Sequence, residues 1–126
     1  MKTIISTPKA PSAIGQYNQA TAFDKLIFTS GQIALDPQTM EIVIGGVKEQ
    51  TKQVMENLKA VLEEAGSSFE NVLKTTCYLS DMDNFVAFNE IYGQYFKGET
   101  APARSTVAVK TLPKNVLVEV DTIAFK

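Results

Sequence analysis

The stretch VKEQTKQVMENLKAVLEEAG, residues 47–66, decides how the rest of the chain can be arranged. Apolar residues recur in it at steps of three and four, which is the spacing of an amphipathic helix with one buried stripe. That stripe comprises Val47, Thr51, Val54, Met55, Leu58, Val61, Leu62 and Ala65. Gly66 follows where a helix usually ends. We therefore predict a helix over residues 47–65.

The segments on both sides of this helix are rich in aromatic and β-branched residues, which is typical of strands. Asp24-Lys25 predicts a tight turn between two of them, and DPQT at 36–39 is a second turn signal. We predict strands over residues 2–6, 16–23, 25–35, 71–80, 104–112 and 116–125.

Strict alternation sorts the side chains of the later strands onto two faces. In 71–80 one face should carry Leu73, Thr75, Cys77 and Leu79. In 116–125 one face should carry Val116, Val118, Val120, Thr122 and Ala124.

A second helix is predicted over about residues 82–97, because SDMDN at 80–84 supplies N-cap candidates and Gly98 ends the pattern. Its apolar side is mostly aromatic, and we interpret it as core rather than as a cofactor site. The residues of that side are Phe85, Phe88, Tyr92, Tyr95 and Phe96.

The resulting order is βββ-α-β-α-ββ in a single domain, residues 1–126. Two helices can cover one face of a five- or six-stranded sheet, and the other face is then left open. Its many apolar and threonine positions would be unusual in water, and burial against another copy is the simple remedy. We predict a homo-oligomer whose sheets meet, with pockets where subunits join.

The composition limits the possible chemistry. The 126 residues are 44% hydrophobic and 21% charged with a net charge of −2, which indicates an ordinary globular domain and disfavours nucleic-acid binding. We expect a cytoplasmic protein, since no apolar run is long enough to span a bilayer and no secretory signal is evident. The chain has no histidine and one cysteine, Cys77, which excludes a Ser-His-Asp triad, a Cys-His dyad, a His-ligated zinc site and an internal disulfide. Catalysis would then favour a substrate that is already reactive.

Arg104 is the strongest local anomaly, because it lies near the start of the otherwise apolar and hydroxyl-rich run APARSTVAV at 101–109. A guanidinium offers a planar fork of donors that holds a carboxylate by two parallel hydrogen bonds. The alternative is a surface or interface salt bridge with an acid of the protein. Glu119, flanked by valines, is either an outward residue of an edge strand or an acid that manages a water.

Other candidates have simpler alternatives. Tyr17 could donate to a ligand or pack in the core. Gly31 could allow a close approach of backbone to a ligand or mark a bulge. Asn89 could reach a ligand or face solvent, and Cys77 is expected to be an inert buried thiol.

Several longer motifs together resemble the Rid family (reactive intermediate deaminase, also called the YjgF or endoribonuclease L-PSP family). The resemblance runs nearly end to end, and its signature region combines Ala103-Arg104-Ser105 with Leu112-Pro113 and a late Val118-Glu119-Val120. The motifs are PKAPSAIGQYNQA, FTSGQIALDP, QTKQVMENLKAVLEEAG, VLKTTCYLSDMDNFVAFNEIY, APARSTVAV and LPKNVLVEVDTIA.

The resemblance implies a chorismate-mutase-like (YjgF-like) α+β fold, with a mixed sheet and two helices packed on one face. It also implies a homotrimer with three inter-subunit clefts. The implied activity, without metal or cofactor, is hydrolysis of 2-imino acids such as 2-iminobutanoate and 2-iminopropanoate, or their enamine tautomers. These intermediates escape from pyridoxal-phosphate enzymes, and the products are 2-keto acids and ammonia.

The resemblance also assigns roles to residues of this sequence. Arg104 matches the arginine that holds the substrate carboxylate, and Glu119 matches the acid that positions water. Substrate-binding positions are matched by Tyr17, Ser30, Gly31, Asn89 and Thr106.

The chain departs from the family pattern at two places. It has Thr106 where many members have cysteine after Arg-Ser, so a thiol there is not essential. Gln16 and Asn18 flank Tyr17 in place of the commoner Gly-Pro-Tyr-Ser pattern, which could shift the substrate range. Two rival functions stay open. One is a regulatory module that binds a small carboxylate and acts through a protein partner, and the other is a ribonuclease or translation inhibitor.

Overall fold

Six strands form one mixed sheet in the computed structural model, which describes all of residues 1–126. The strands are β1 Thr3–Ile5, β2 Ala20–Phe23, β3 Leu26–Thr29, β4 Val72–Leu79, β5 Ala103–Ala108 and β6 Val118–Phe125. Their order across the sheet is β1-β2-β3-β6-β4-β5. Neighbouring strands are antiparallel except β4 and β5, which are parallel.

Two helices cover one face of this sheet, α1 at Val47–Glu64 and α2 at Phe85–Tyr95. The apolar stripe predicted for α1 is buried throughout, and Phe88, Tyr92 and Phe96 bury the aromatic side of α2 beside it. Lys48 of α1 and Glu90 of α2 form an exposed salt bridge at 2.7 Å between Nζ and Oε2. The predicted mixed sheet with two helices on one face is confirmed. No helix combines the length and the apolar character that crossing a bilayer requires.

The opposite face of the sheet is open. β6 alternates as predicted, with Val118, Val120, Thr122 and Ala124 buried toward the helices and the intervening residues less buried. Register places an exposed apolar group on the open face of β1, β2, β3 and β6. The members of this group are Ile4, Phe23, Leu26, Phe28 and Phe125.

Two strand predictions are wrong because backbone irregularities interrupt the alternation. The register between β4 and β6 shifts between Val72 and Lys74, so Val72 is buried and Leu73, predicted on the buried face, is 47% exposed. The strand predicted over 25–35 ends at Thr29, and its pairing with β6 resumes at Gln32 with the register moved by one residue. The extra residue makes a bulge at Ser30-Gly31, where the chain turns toward the site.

Three other strands are shorter than predicted. The strand predicted over 16–23 begins only at Ala20, and residues 16–19 are a loop. The last two predicted strands, over 104–112 and 116–125, are Ala103–Ala108 and Val118–Phe125. A short turn at Pro113–Asn115 connects them, and Lys114 and Asn115 both have left-handed backbone there, with φ of 55° and 56°.

Candidate functional site

A cavity of about 600 Å³ lies where residues 11–19, the bulge at Ser30-Gly31 and the turn at Pro113-Lys114 meet the start of β6. Four of the predicted site residues line it, namely Tyr17, Ser30, Gly31 and Glu119. They come from separate parts of the sequence, and the bulge after β3 brings them together.

Gly31 allows the closest approach in this cavity. A Cβ atom placed on Gly31 would overlap Oε2 of Glu119 and lie 2.8 Å from its Cδ. The backbone of the bulge and the Glu119 carboxylate are therefore in direct contact, which no residue with a side chain would allow at position 31. The interpretation of this glycine as a bulge position is confirmed. The close approach that it permits is to the Glu119 carboxylate, and the approach of its backbone to a ligand stays a prediction.

Glu119 is half-buried on the open face of the sheet, where it pairs with Tyr78 across to β4. Burial raises the pKa of its carboxyl above the ordinary value, and the nearby negative charge of Asp121 raises it further. The pKa of Asp121 is also raised by burial, although a hydrogen bond from the Tyr78 hydroxyl at 3.4 Å opposes the effect. A raised pKa makes the ionised carboxylate a stronger base than an ordinary glutamate.

Ser30 and Tyr17 complete the polar wall of the cavity. The Ser30 hydroxyl donates to the carbonyl of Asn18 at 2.5 Å, and the Ser30 amide donates to the carbonyl of Gln19 at 2.9 Å. These two bonds fasten the loop that carries Tyr17 to the bulge. The Tyr17 side chain is 52% exposed at the edge of the cavity, so its phenol is accessible to a ligand.

Arg104 lies elsewhere, on β5 at the edge of the sheet, with its guanidinium against α2. Its Nη1 donates to Oδ1 of Asn89 at 2.7 Å. Its Cζ lies 4.8 Å from the ring centroid of Tyr92 and 5.4 Å from that of Phe85. The Tyr92 hydroxyl is itself hydrogen-bonded to Thr75 at 2.8 Å, so the ring beneath the guanidinium is fixed.

No acid of the chain neutralises Arg104. The salt bridge of the chain joins Lys48 to Glu90, and the bond to Asn89 occupies one of the five N–H donors of the guanidinium. An intramolecular salt bridge, one of the alternatives for Arg104, is therefore absent. The exposed fork stays free to hold a carboxylate from outside the chain.

Thr106 lies two residues beyond Arg104 on the same face of β5. Its Oγ1 is buried and has no hydrogen-bond partner. A buried hydroxyl without a partner is uncommon in native structures and is costly unless another group supplies the bond. Cys77 pairs with Thr106 in the register and is buried, with a pKa raised by burial to about 11, so the thiol is protonated and inert as predicted.

Within one chain, Arg104 and Glu119 do not meet. Arg104 is in register with the buried Thr75 and shares the helix-covered face, whereas Glu119 is in register with Tyr78 on the open face. Strand β4 separates β5 from β6, so the two residues do not lie on neighbouring strands. The chain thus carries two separate sets, one around Arg104 with Asn89 and Thr106, and one around Glu119.

Four polar residues that line the cavity escaped the sequence analysis: Ser12, Gln19, Gln32 and Lys114. Gln19 and Gln32 occur in quoted motifs, but nothing in the pattern distinguishes a buried amide from an exposed one. Lys114, the one cation that lines the cavity, lies in a turn whose left-handed backbone no sequence signal revealed. No group of three or more acidic, cysteine or histidine side chains is gathered as metal ligands would be.

Comparison with known proteins gives a consistent result over nearly the whole chain. Residues 7–126 match a family model described as Endoribonuclease L-PSP. A RutC family protein of Synechocystis is 60% identical over 122 residues, covering 96% of this chain and 94% of the relative. A mouse protein named 2-iminobutanoate/2-iminopropanoate deaminase is 48% identical over 124 residues, covering 98% of this chain and 91% of the relative. The crystal structure of E. coli TdcF with bound serine superposes with a TM-score of 0.92 at 41% identity, covering 98% of each chain.

The contact between Gly31 and Glu119 predicts the cost of a methyl group at position 31. Gly31→Ala should lower the free energy of unfolding by about 1–3 kcal/mol, because the new Cβ must displace the carboxylate. In a Glu119→Ala background the same substitution should cost less than half as much, which a double-mutant cycle by chemical denaturation measures. Gly93→Ala is the control, since its Cβ meets nothing within 4 Å and alanine favours the helix. Equal costs with and without Glu119 would contradict the contact.

The raised pKa of Glu119 predicts how stability depends on pH. Since folding raises this pKa above the ordinary value of 4.5, the folded state holds the proton more tightly than the unfolded chain. The ionised carboxylate then lowers the free energy of unfolding progressively as pH rises from about 4.5 through the raised pKa. Glu119→Gln should therefore be more stable than wild type at neutral pH, with the difference shrinking toward pH 4.

Denaturation of both proteins across about pH 4–8 measures this difference, and Glu64→Gln, an exposed glutamate of α1, is the control. The prediction is contradicted if Glu119→Gln is less stable than wild type at neutral pH, or if the difference in stability between the two proteins does not change with pH.

Proposed function

Because the chain belongs to the Rid family (YjgF, or endoribonuclease L-PSP), we propose that it hydrolyses reactive 2-imino acids and their enamine tautomers to 2-keto acids and ammonia. The substrates are small, such as 2-iminobutanoate and 2-iminopropanoate. The mouse relative named for this activity covers nearly the whole chain, so all the residues invoked below lie within the shared region.

The observation that carries the proposal is the guanidinium of Arg104, held by Asn89 and two aromatic rings and free of any internal acid. Such a group binds a carboxylate in a fixed orientation, since its own position is set before the ligand arrives. The buried hydroxyl of Thr106 on the same face has no partner within the chain, and a ligand that reaches it would gain a further hydrogen bond. Both features suit a 2-imino acid, which presents a carboxylate next to the reacting carbon.

The proposal includes the assembly. Since Arg104 and Glu119 lie on opposite faces of one sheet, a substrate held by the first reaches the second only if the second belongs to another copy. We propose a homotrimer in which the open, apolar sheet faces meet and three clefts form. In each cleft one copy supplies Arg104, Asn89 and Thr106, and its neighbour supplies the cavity with Tyr17, Ser30, Gly31 and Glu119.

The chemistry asks for no metal or cofactor, because a protonated imine is already electrophilic. Arg104 holds the substrate carboxylate, and a water near Glu119 attacks the imine carbon. A C–O bond forms while the C=N electron pair moves to nitrogen, and the Glu119 carboxylate takes a proton from the water and returns it to that nitrogen. The C–N bond then breaks with its electron pair leaving on ammonia, a lone pair of the hydroxyl oxygen forms the C=O bond, and the hydroxyl proton passes to the again ionised Glu119 carboxylate and from there to water, which gives the 2-keto acid.

The raised pKa of Glu119 fits this exchange of protons. A carboxylate whose pKa is raised is a stronger base toward the attacking water than an ordinary glutamate. Gly31 supports the same step, since its missing side chain lets the bulge backbone approach the carboxylate.

Removing the guanidinium should abolish most of the turnover. Arg104→Ala should lose about 2–5 kcal/mol of transition-state stabilisation. The turnover of Arg104→Lys should lie between those of Arg104→Ala and wild type, because a lysine keeps the charge without the planar fork. The assay supplies freshly generated 2-iminobutanoate and follows release of 2-ketobutyrate. Lys52→Ala, an exposed lysine of α1, should keep wild-type turnover. Unchanged turnover in a folded Arg104→Ala oligomer would remove Arg104 from the mechanism.

A second candidate is a regulatory module that binds a small carboxylate and acts through a protein partner. It is favoured by the relative TdcF, whose crystal structure contains serine. This function would use the same Arg104 but would not need the proton relay of Glu119.

Glu119→Gln separates the two functions, because glutamine keeps the shape of the site but cannot exchange protons. If the protein is the proposed enzyme, turnover of 2-iminobutanoate by Glu119→Gln should fall by about 10²-fold or more. Binding of the product 2-oxobutanoate (2-ketobutyrate), measured by calorimetry, should be retained. Full turnover in the variant, or a wild type that binds the acid without any turnover, would favour the regulatory function.

A further inference from the structure

The side chain of Gln19 is the most fully bonded polar group beside the cavity. It is 3% exposed, and every hydrogen bond it makes goes to the backbone of residues 7–11. Its Oε1 accepts from the Thr7 amide at 2.6 Å. Its Nε2 donates to the carbonyls of Thr7 at 3.0 Å, Ala10 at 3.3 Å and Pro11 at 2.7 Å. Both N–H donors and the carbonyl oxygen of the amide are thus engaged with one segment of the chain.

That segment has few other ties. No backbone–backbone hydrogen bond links residues 7–18 to a strand or a helix, and most of these residues are exposed. Beyond Gln19, the bulge holds the segment by the Ser30 hydroxyl, which donates to the Asn18 carbonyl. Thr7, Ala10 and Pro11, the buried residues among them, are the ones that Gln19 bonds. Apolar packing alone therefore does not fix this segment, and the Gln19 amide supplies the missing constraint.

The same segment forms one wall of the cavity, through Pro11, Ser12, Ile14 and Tyr17. The backbone of Gln19 holds the opposite side, since its carbonyl accepts from the amide of Ser30 in the bulge. Gln19 thus links the cavity wall that contains Tyr17 to the bulge whose backbone lies against Glu119.

We propose that Gln19 is a positioning residue of the cavity, whose side-chain amide holds residues 7–17 in place and thereby sets the affinity for the bound acid. It acts through the wall and through Tyr17 rather than on the reacting atoms. The part of this proposal that concerns affinity rests on the proposed function, whereas the part that concerns the wall does not.

The test compares Gln19→Leu with Thr51→Val. Leucine fills a similar volume without hydrogen bonds. The control also removes one buried hydrogen bond, from the Thr51 hydroxyl to the Val47 carbonyl within α1, away from the cavity. Amide hydrogen exchange by NMR and steady-state turnover of 2-iminobutanoate are measured for both variants. Should Gln19→Leu fail to fold, Gln19→Asn, which keeps the amide but draws it back from the carbonyls, takes its place with the same measurements.

In Gln19→Leu we expect the exchange rate of the Thr7 amide, divided by the rates of amides in α1 and β4, to be at least about 10-fold higher than in wild type. Thr51→Val should leave this ratio of rates unchanged. We also expect kcat/KM to fall by about 10- to 100-fold, mostly through KM, because Arg104 and Glu119 keep their places.

Unchanged protection of Thr7, or an increase in exchange spread evenly over the chain, would overturn the proposal. Faster local exchange with an unchanged KM would overturn the link to affinity. If the wild type neither turns over 2-iminobutanoate nor binds 2-oxobutanoate, the proposed function fails, and hydrogen exchange alone decides whether Gln19 holds the wall.

Discussion

The cation of Arg104, held in place without a counter-ion of its own chain, is the constraint on which the site depends. The ring of Tyr92 lies under the guanidinium, and a hydrogen bond between its hydroxyl and Thr75 of β4 holds it there. Asn89 accepts a hydrogen bond from the guanidinium because residues 85, 89 and 92 share one face of α2. The parallel pairing of β5 with β4 brings the strand to this helix. Sheet topology and helix packing thus fix a guanidinium fork, free of any internal acid, at the edge of the molecule.

The sheet itself imposes a second constraint, on where Arg104 and Glu119 can lie. A strand sends alternate side chains to opposite faces, and the register assigns Arg104 to the covered face and Glu119 to the open one. No rotamer change brings the two together through a hydrogen-bonded sheet. In the proposed function, a neighbouring copy would both cover the exposed apolar residues of the open face and bring a Glu119 to each Arg104. In this account the oligomer is part of the chemistry and not only a cover for apolar surface.

Much of the fold follows from the sequence, because strong periodicity determines the type of each long element. The α1 stripe, the aromatic side of α2 and the alternation of β6 are local patterns, and the structure has them as predicted. The errors fall where one extra residue changes the register, at Leu73 and at the bulge of Ser30-Gly31. A bulge depends on pairing with a distant strand, so the sequence of one strand alone does not reveal it.

The site, like the fold, could be predicted from the sequence only in part. The unusual residue types, an arginine in an apolar strand and a glycine inside the strand predicted over 25–35, were visible in the sequence. Their grouping was not, because it depends on the strand order, which puts β4 between β5 and β6. Gln19 was missed because its role comes from partners at residues 7–11, which only the folded backbone brings together.

Complementation between inactive variants tests the central claim that one substrate is held by Arg104 of one copy and Glu119 of another. Arg104→Ala and Glu119→Gln subunits are each assayed alone, then unfolded together in equal amounts, refolded and assayed again. Random assembly leaves about one quarter of the clefts with both native residues, so the mixture should recover about a quarter of wild-type turnover of 2-iminobutanoate. A mixture that forms mixed oligomers but stays as inactive as its parents would contradict a site shared between copies.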